Sequence, residues 1–256
     1  MAGPAGSGDL KERVRAHWQR RPCASETASA PFGTPAFFAE VERERYRLEP
    51  YVHEFARFDS WRGRRVLEVG VGLGTDFVQF ARAGARAVGV DLTEAAVDAV
   101  RARLAHESLD AEVLVADAEH LPFPDGSFDL VYSYGVVHHT PDPERAVAEI
   151  HRVVRPGGEA RVMLYCRRSW FALGAWLRWA LARGRPWLTV SHVLATRLES
   201  PGTRAYTARE VEALFGAFSR VSIVRRVTPY DRRVAGPIAD LTGPRRGWCV
   251  GVVAVR

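Results

Sequence analysis

Residues 66–76 read VLEVGVGLGTD, an apolar run that ends in alternating glycines, Gly70, Gly72 and Gly74. Glycines after a strand let a ligand come close to the backbone without meeting a Cβ. Glu68 stands two residues before the first of them. A carboxylate on that rim disfavours a pyrophosphate and suits a cationic amine. The spacing G-x-G-x-G also departs from the G-x-G-x-x-G of dinucleotide sites. Asp91 closes a second apolar run, VGVD, where a carboxylate can accept hydrogen bonds from both ribose hydroxyls. Asp117 closes a third, VAD, followed by Ala118 and Glu119. A carboxylate or backbone group there can reach an adenine amino group. Amine, ribose and adenine without pyrophosphate describe S-adenosylmethionine; NAD does not fit.

Such a set of residues needs a scaffold that ends several strands along one edge. From Arg65 the chain alternates regularly. RRVLEVG, ARAVGVD, AEVLVAD, SFDLVYS and EARVMLY read as strands. Residues 76–83, 93–107 and 143–154 read as helices, the second capped by Thr93 and the third closed by Pro156-Gly157-Gly158. This alternation predicts an α/β fold with a parallel sheet and right-handed crossovers. Before it, residues 9–20 predict a short helix and 22–36 a loop. Thr34 and Pro35 then start a helix that Pro50 kinks or divides. After residues 166–206 the alternation resumes with a helix capped by Thr207, the strand VSIVRRV and a last strand near WCVGVVAV.

VLEVGVGLG, VGVD, VADAEHLPFPDGSFDLVYS, VVHH and HRVVRPGG occur in this order. Together they resemble the class I S-adenosylmethionine-dependent methyltransferases, and most closely their type 11 (UbiE-like) small-molecule subgroup. The resemblance covers residues 60–165. It implies a Rossmann-like seven-stranded sheet of order 3-2-1-4-5-7-6 with strand 7 antiparallel. It further implies that Glu68, Gly70, Gly72 and Gly74 cradle the methionine part of the cofactor. Asp91 would hold the ribose, and Leu92 would pack on the adenine. Asp117 and Ala118 would sit at the adenine edge, with Ser133 and Tyr134 lining the sulfonium. The division expected is a helical cap over 1–60 and a methyltransferase domain over 61–256, with 166–206 inserted in it as a lid.

Methyl transfer from a sulfonium is an in-line displacement, so the protein mainly positions and desolvates. A hydroxyl acceptor must also lose a proton. His139 and then His138 are the candidate bases, because histidine titrates near neutrality. The alternative is that they tie down the loop through Thr140–Pro143. Tyr134 is the third candidate, to orient the acceptor. No acid cluster of the kind a magnesium-dependent enzyme uses is evident, so no metal is expected.

Residues 166–206 hold Trp170, Trp176, Trp179 and Trp187, seven arginines and a single acid, Glu199. They predict a helical lid over an apolar acceptor pocket, in preference to an interfacial helix on a membrane surface. Arg167 and Arg168 at its base are candidates for an anionic group on the substrate. The expected acceptor is a small molecule, aromatic or anionic, of the specialised-metabolite kind. RNA, a quinone or lipid, and NAD-dependent oxidoreduction are the alternatives. The segment SYGVVHH argues against a base-amine target in nucleic acid, and no RNA-binding module is apparent.

Charge is unevenly distributed. Residues 61–165 carry a net −5 and residues 166–256 a net +11, within an overall +6. Lys11 is the single lysine. Cys23, Cys166 and Cys249 are too far apart and odd in number for a disulfide framework. Neither a membrane-length apolar run nor a signal-peptide core is present, so a cytoplasmic protein is expected.

Overall fold

The computed structural model describes residues 7–256. Three helices precede the sheet: α1 (Ser7–Arg20), α2 (Pro35–Leu48) and α3 (Val52–Ala56). Thr34 caps α2 by accepting from the Phe37 amide, with Pro35 in the first turn. Pro50 divides α2 from α3, since it cannot continue the helical hydrogen bonding.

The alternating part follows as β1 (Arg65–Val69), α4 (Phe77–Arg82), β2 (Arg86–Asp91), α5 (Glu94–Glu107), β3 (Glu112–Val115), β4 (Phe128–Tyr134), α6 (Pro143–Val153) and β5 (Val154–Tyr165). Two helices, α7 (Trp170–Trp179) and α8 (Val190–Arg197), fill the insertion. The chain closes with α9 (Ala208–Leu214), β6 (Arg220–Arg226), α10 (Pro229–Ala235), α11 (Pro237–Leu241) and β7 (Cys249–Val255).

The seven strands lie in the order β3-β2-β1-β4-β5-β7-β6, as the resemblance implied. β1 pairs in parallel with both β2 and β4. β7 runs antiparallel to β5 and β6. Strand order therefore reverses at β1, and the carboxyl ends of β1, β2 and β4 open one crevice, where ligands of such sheets bind. The central strands are buried on both faces. Leu67, Val131, Val162 and Ile150 belong to the core on one side, and Val66, Leu130, Phe77 and Phe80 to that on the other.

Two expectations need correction. Pro156-Gly157-Gly158 does not close α6. β5 begins at Val154, and the segment after it loops out between the pairs Phe128↔Val154 and Leu130↔Glu159. Residues 228–241 also form helices that the sequence reading passed over. Thr228 and Asp231 make a reciprocal capping box at the start of α10, with Pro229 in its first turn. Gly236, at φ 53°, breaks it from α11, which begins at Pro237.

Candidate active site

A cavity of ≈ 410 Å³ lies over the carboxyl ends of the strands and has two halves. The first is built on the turn after β1. Gly70 has φ +81°, and a Cβ there would stand 2.2 Å from Val136 Cγ2. Gly72 has φ +53° and open space where its Cβ would be. This leaves the backbone bare toward the cavity. The Gly72 amide donates to Asp91 Oδ2 at 3.1 Å, and Thr93 donates to Asp91 Oδ1 from its amide and its hydroxyl. Asp91 is thus fixed by the turn it serves, with its Oδ2 still able to accept from a ribose hydroxyl.

Glu68 is buried, and its Oε2 has no hydrogen-bond partner. Burial, then the nearby Asp76 carboxylate, push its pKa well above the ordinary carboxylate range, against the pull of Arg45. An unpartnered buried carboxylate is costly unless a cation meets it. A ligand ammonium in the cavity would do so. Leu92, Asp117 and Ala118 line the far end of this half. The residues present therefore fit an amine, a ribose and an adenine in that order.

A roof comes from α1. Its Lys11, Val14 and Trp18 line the cavity from one helical face. The Lys11 ammonium reaches Asp117 Oδ2 at 2.6 Å and Glu119 Oε2 at 2.5 Å. Among the described residues, Asp117, Glu119 and His120 are the one grouping with metal-type ligands close together, and it holds this ammonium.

The second half is aromatic. Tyr134, Tyr165, Phe171, Tyr230, Trp248 and Trp18 line it. Tyr165 stacks on Trp248 with ring centroids 4.2 Å apart, and Phe171 leans on Trp248 at 4.7 Å. The Arg45 guanidinium lies 4.2 Å from the centre of the Tyr134 ring and is bonded to Asp76 at 2.9 Å. Burial, then Cys249, raises the Tyr134 pKa well above the ordinary phenol value, so this hydroxyl stays protonated at neutral pH.

His139 stands between the halves. Its Nε2 is 3.2 Å from Glu199 Oε2, and its Nδ1 is 2.9 Å from Ser200 Oγ and 3.0 Å from Thr203 Oγ1. The Tyr165 hydroxyl donates to both Glu199 oxygens, at 3.0 and 3.2 Å. Glu199 keeps part of its side chain open to the cavity; desolvation alone would raise its pKa, yet His139 and Tyr165 hold it below the usual carboxylate range. Its backbone adopts φ +27°, a left-handed conformation uncommon outside glycine.

Three expected site residues lie elsewhere. Ser133 is fully buried and donates to the Val69 carbonyl at 3.0 Å, tying β4 to β1. His138 is fully buried behind Tyr165, with ring centroids 3.8 Å apart. Neither of its ring nitrogens makes a hydrogen bond of normal geometry. Gly74 faces Val100 of α5, which a Cβ would approach to 2.9 Å. Arg167 binds the Glu210 carboxylate that caps α9, so it serves the scaffold. The insertion brings Phe171 and Glu199 to the cavity wall, but its four tryptophans do not line it. Glu199, Arg45, Tyr165 and Lys11 went unread as site residues, although a lone acid in a basic insertion and a single lysine were visible signals.

Comparison with known proteins supports the fold and the family. The family described as "Methyltransferase domain" (Methyltransf_11) matches residues 67–162. The chain is 35% identical to methyltransferase GfsG of Streptomyces halstedii over 42% of its own length and 40% of that protein's. It is 32% identical to demethylmenaquinone methyltransferase of Thermobifida fusca (strain YX) over 67% of its length and 70% of that protein's. It thus spans well under half of the first relative. Among solved structures, a SAM-dependent methyltransferase from Aquifex aeolicus superposes with a TM-score of 0.57 at 18% identity, covering 86% of this chain and 97% of that one.

Proposed function

Because the chain belongs to the class I, type 11 S-adenosylmethionine-dependent methyltransferases, we propose that it methylates a ring-bearing small molecule held in the aromatic half of the cavity. When bound, the cofactor would supply a methyl carbon for in-line attack by a nucleophile, with its sulfur leaving as S-adenosylhomocysteine. The observation that carries the proposal is the single cavity itself. Its glycine-turn half fits the cofactor, and its aromatic half leads away from the same point. Rings of Tyr165, Phe171 and Trp248 offer faces and edges for stacking an acceptor while keeping water out.

The chain's own residues divide the work. Glu68 anchors the cofactor amine, Gly72 lets the backbone approach, and Asp91 holds the ribose. Arg45 and Tyr134 orient the acceptor from the side of α2. His139 takes up the proton an acceptor hydroxyl loses. Glu199 fixes the imidazole and balances its charge, as a carboxylate does for a histidine base. In the tautomer with Nε2–H donated to Glu199, Nδ1 accepts from Ser200 and is the basic nitrogen.

The test is release of S-adenosylhomocysteine from purified protein supplied with S-adenosylmethionine and a panel of phenols, quinols and hydroxylated polyketides. Turnover confined to ring-bearing acceptors, lost in His139→Ala while S-adenosylhomocysteine still binds, is expected. Turnover on unmodified RNA instead, or full activity in the variant, would overturn it.

A further inference from the structure

The tryptophans and arginines of the insertion point to a second role, away from the cavity. α7 packs on α10, where Gly174 meets Val234, and on the end of α11, where Trp170 Nε1 donates to Thr242 Oγ1 at 2.8 Å. These helices form one outer layer. Its exposed apolar side chains are Leu177 (40%), Val234 (42%), Ile238 (53%) and Leu241 (84%). Leu181, directly after α7, is 47% exposed. Large aliphatic side chains left in water at this density mark a surface that is covered in use.

The charge around them is of one sign. Arg178, Arg183 and Arg197 place their guanidiniums 5.5, 3.9 and 5.5 Å from the ring of Trp179. Arg233, Arg245 and Arg246 are exposed on α10 and the turn after α11. Residues 166–206 and 228–248 contain three acids, and none of them answers these cations. Glu199 faces the cavity, Asp231 is fully buried, and Asp240 is bound by Arg232.

We propose that this face, formed by α7, α10 and α11, docks the protein on an anionic lipid surface. Protruding aliphatic tips would sink into the acyl boundary while the arginines meet lipid phosphates, the pattern of an interfacial binder. The observations favour lipid over an acidic protein. The apolar side chains come from several short helices of one layer, and lipid needs no matching shape. No described helix is long and apolar enough to cross a membrane, so the contact is peripheral. The same helices wall the aromatic half of the cavity through Phe171 and Tyr230. Docking there would bring an apolar acceptor from the lipid straight to that wall. The proposal concerns binding alone and stands apart from the acceptor's identity.

The experiment is co-sedimentation of the full chain with vesicles of phosphatidylglycerol or of phosphatidylcholine, at low salt and at about 0.5 M salt. Binding to the anionic vesicles, weakened by salt, is expected. Replacing Arg233, Arg245 and Arg246 together by Gln should weaken it on the order of 100-fold, at roughly fivefold for each arginine near the surface. Ile238→Ser with Leu241→Ser should remove the binding that survives high salt. Unchanged S-adenosylhomocysteine affinity in both variants shows that the fold is intact. Absence of binding to phosphatidylglycerol vesicles at low salt would overturn the proposal. So would binding that neither variant changes, or capture of the face by an acidic carrier protein without any vesicle binding.

Discussion

His139 Nε2 stands 3.2 Å from Glu199 Oε2, although one residue follows β4 and the other lies after α8 in the insertion. The carboxylate also takes the Tyr165 hydroxyl, so its two oxygens fix a histidine and a phenol at the junction of the cavity's halves. Glu199→Gln keeps the shape and removes the charge. An amide cannot balance an imidazolium, and it can present its NH₂ to Nε2, which favours the wrong tautomer. We expect kcat to fall by about 10²-fold, within the range of general-base effects, with S-adenosylhomocysteine affinity unchanged. Steady-state kinetics beside a calorimetric titration checks this. An unchanged kcat would remove Glu199 from the proton path.

Glu68 sets stability against binding. Its Oε2 has no partner, and burial with Asp76 nearby raises its pKa. A carboxyl whose folded pKa is raised loses stability as pH climbs above the unfolded value of about 4.3. Glu68→Gln removes that penalty, so the ligand-free protein should gain about 1–3 kcal/mol at pH 7. The same change deletes the anchor for the cofactor ammonium and should weaken S-adenosylmethionine about 10–100-fold. Thermal melts with and without ligand separate the two effects. A variant both less stable and fully binding-competent would contradict this role.

How legible the site was in the sequence follows from geometry. Parallel strands buried on both faces appear as continuous apolar runs, and their glycine and aspartate endings mark the crevice. That is why Glu68, Gly72, Asp91 and Asp117, which line the cavity, were readable in the sequence. Neighbouring residues on a strand point to opposite faces. Ser133 and Tyr134 could not both line the cavity, and only Tyr134 does. His138 and His139 share one tight turn with the same consequence: one ring goes inward under Tyr165 and the other opens to the site. The insertion misled for a different reason. Tryptophan was taken as pocket lining, but its indoles lie off the cavity wall, and a lone acid, Glu199, reaches that wall.

Gly70 tests the turn. Alanine there would hold φ +81° and drive its Cβ to 2.2 Å from Val136 Cγ2. The left-handed backbone and the overpacking should together cost about 2–4 kcal/mol. Adding Val136→Ala should return the packing part and leave the backbone part. Denaturant melts of both variants check this, and a neutral Gly70→Ala would show that the turn relaxes freely.

His138 predicts a pH effect on stability. Burial, then the neighbouring His139, hold its pKa well below the ordinary value. Its ring is thus neutral when folded, whereas the unfolded chain binds a proton below about pH 6.5. The unfolded state then holds more protons, so stability falls as pH drops from 6.5, by up to about 1.4 kcal/mol per pH unit from this group. His138→Phe should flatten that slope between pH 6.5 and about 5. Urea melts across this window decide it, and an unchanged slope would place the titrating group elsewhere.

Lys11 reports on the roof. Burial alone would lower its pKa, but the hydrogen bonds it donates to Asp117 and Glu119 raise it above the ordinary lysine value. A paired ammonium reacts slowly with acylating reagents, because the neutral amine is the nucleophile. As the single lysine, it can be followed by peptide mapping apart from the α-amino group. Asp117→Asn with Glu119→Gln should speed its acetylation about tenfold, by lowering the pKa. S-adenosylhomocysteine bound beneath α1 should slow it further in the native protein. Labelling as fast as that of a free lysine, with or without ligand, would show that α1 does not close over the cavity.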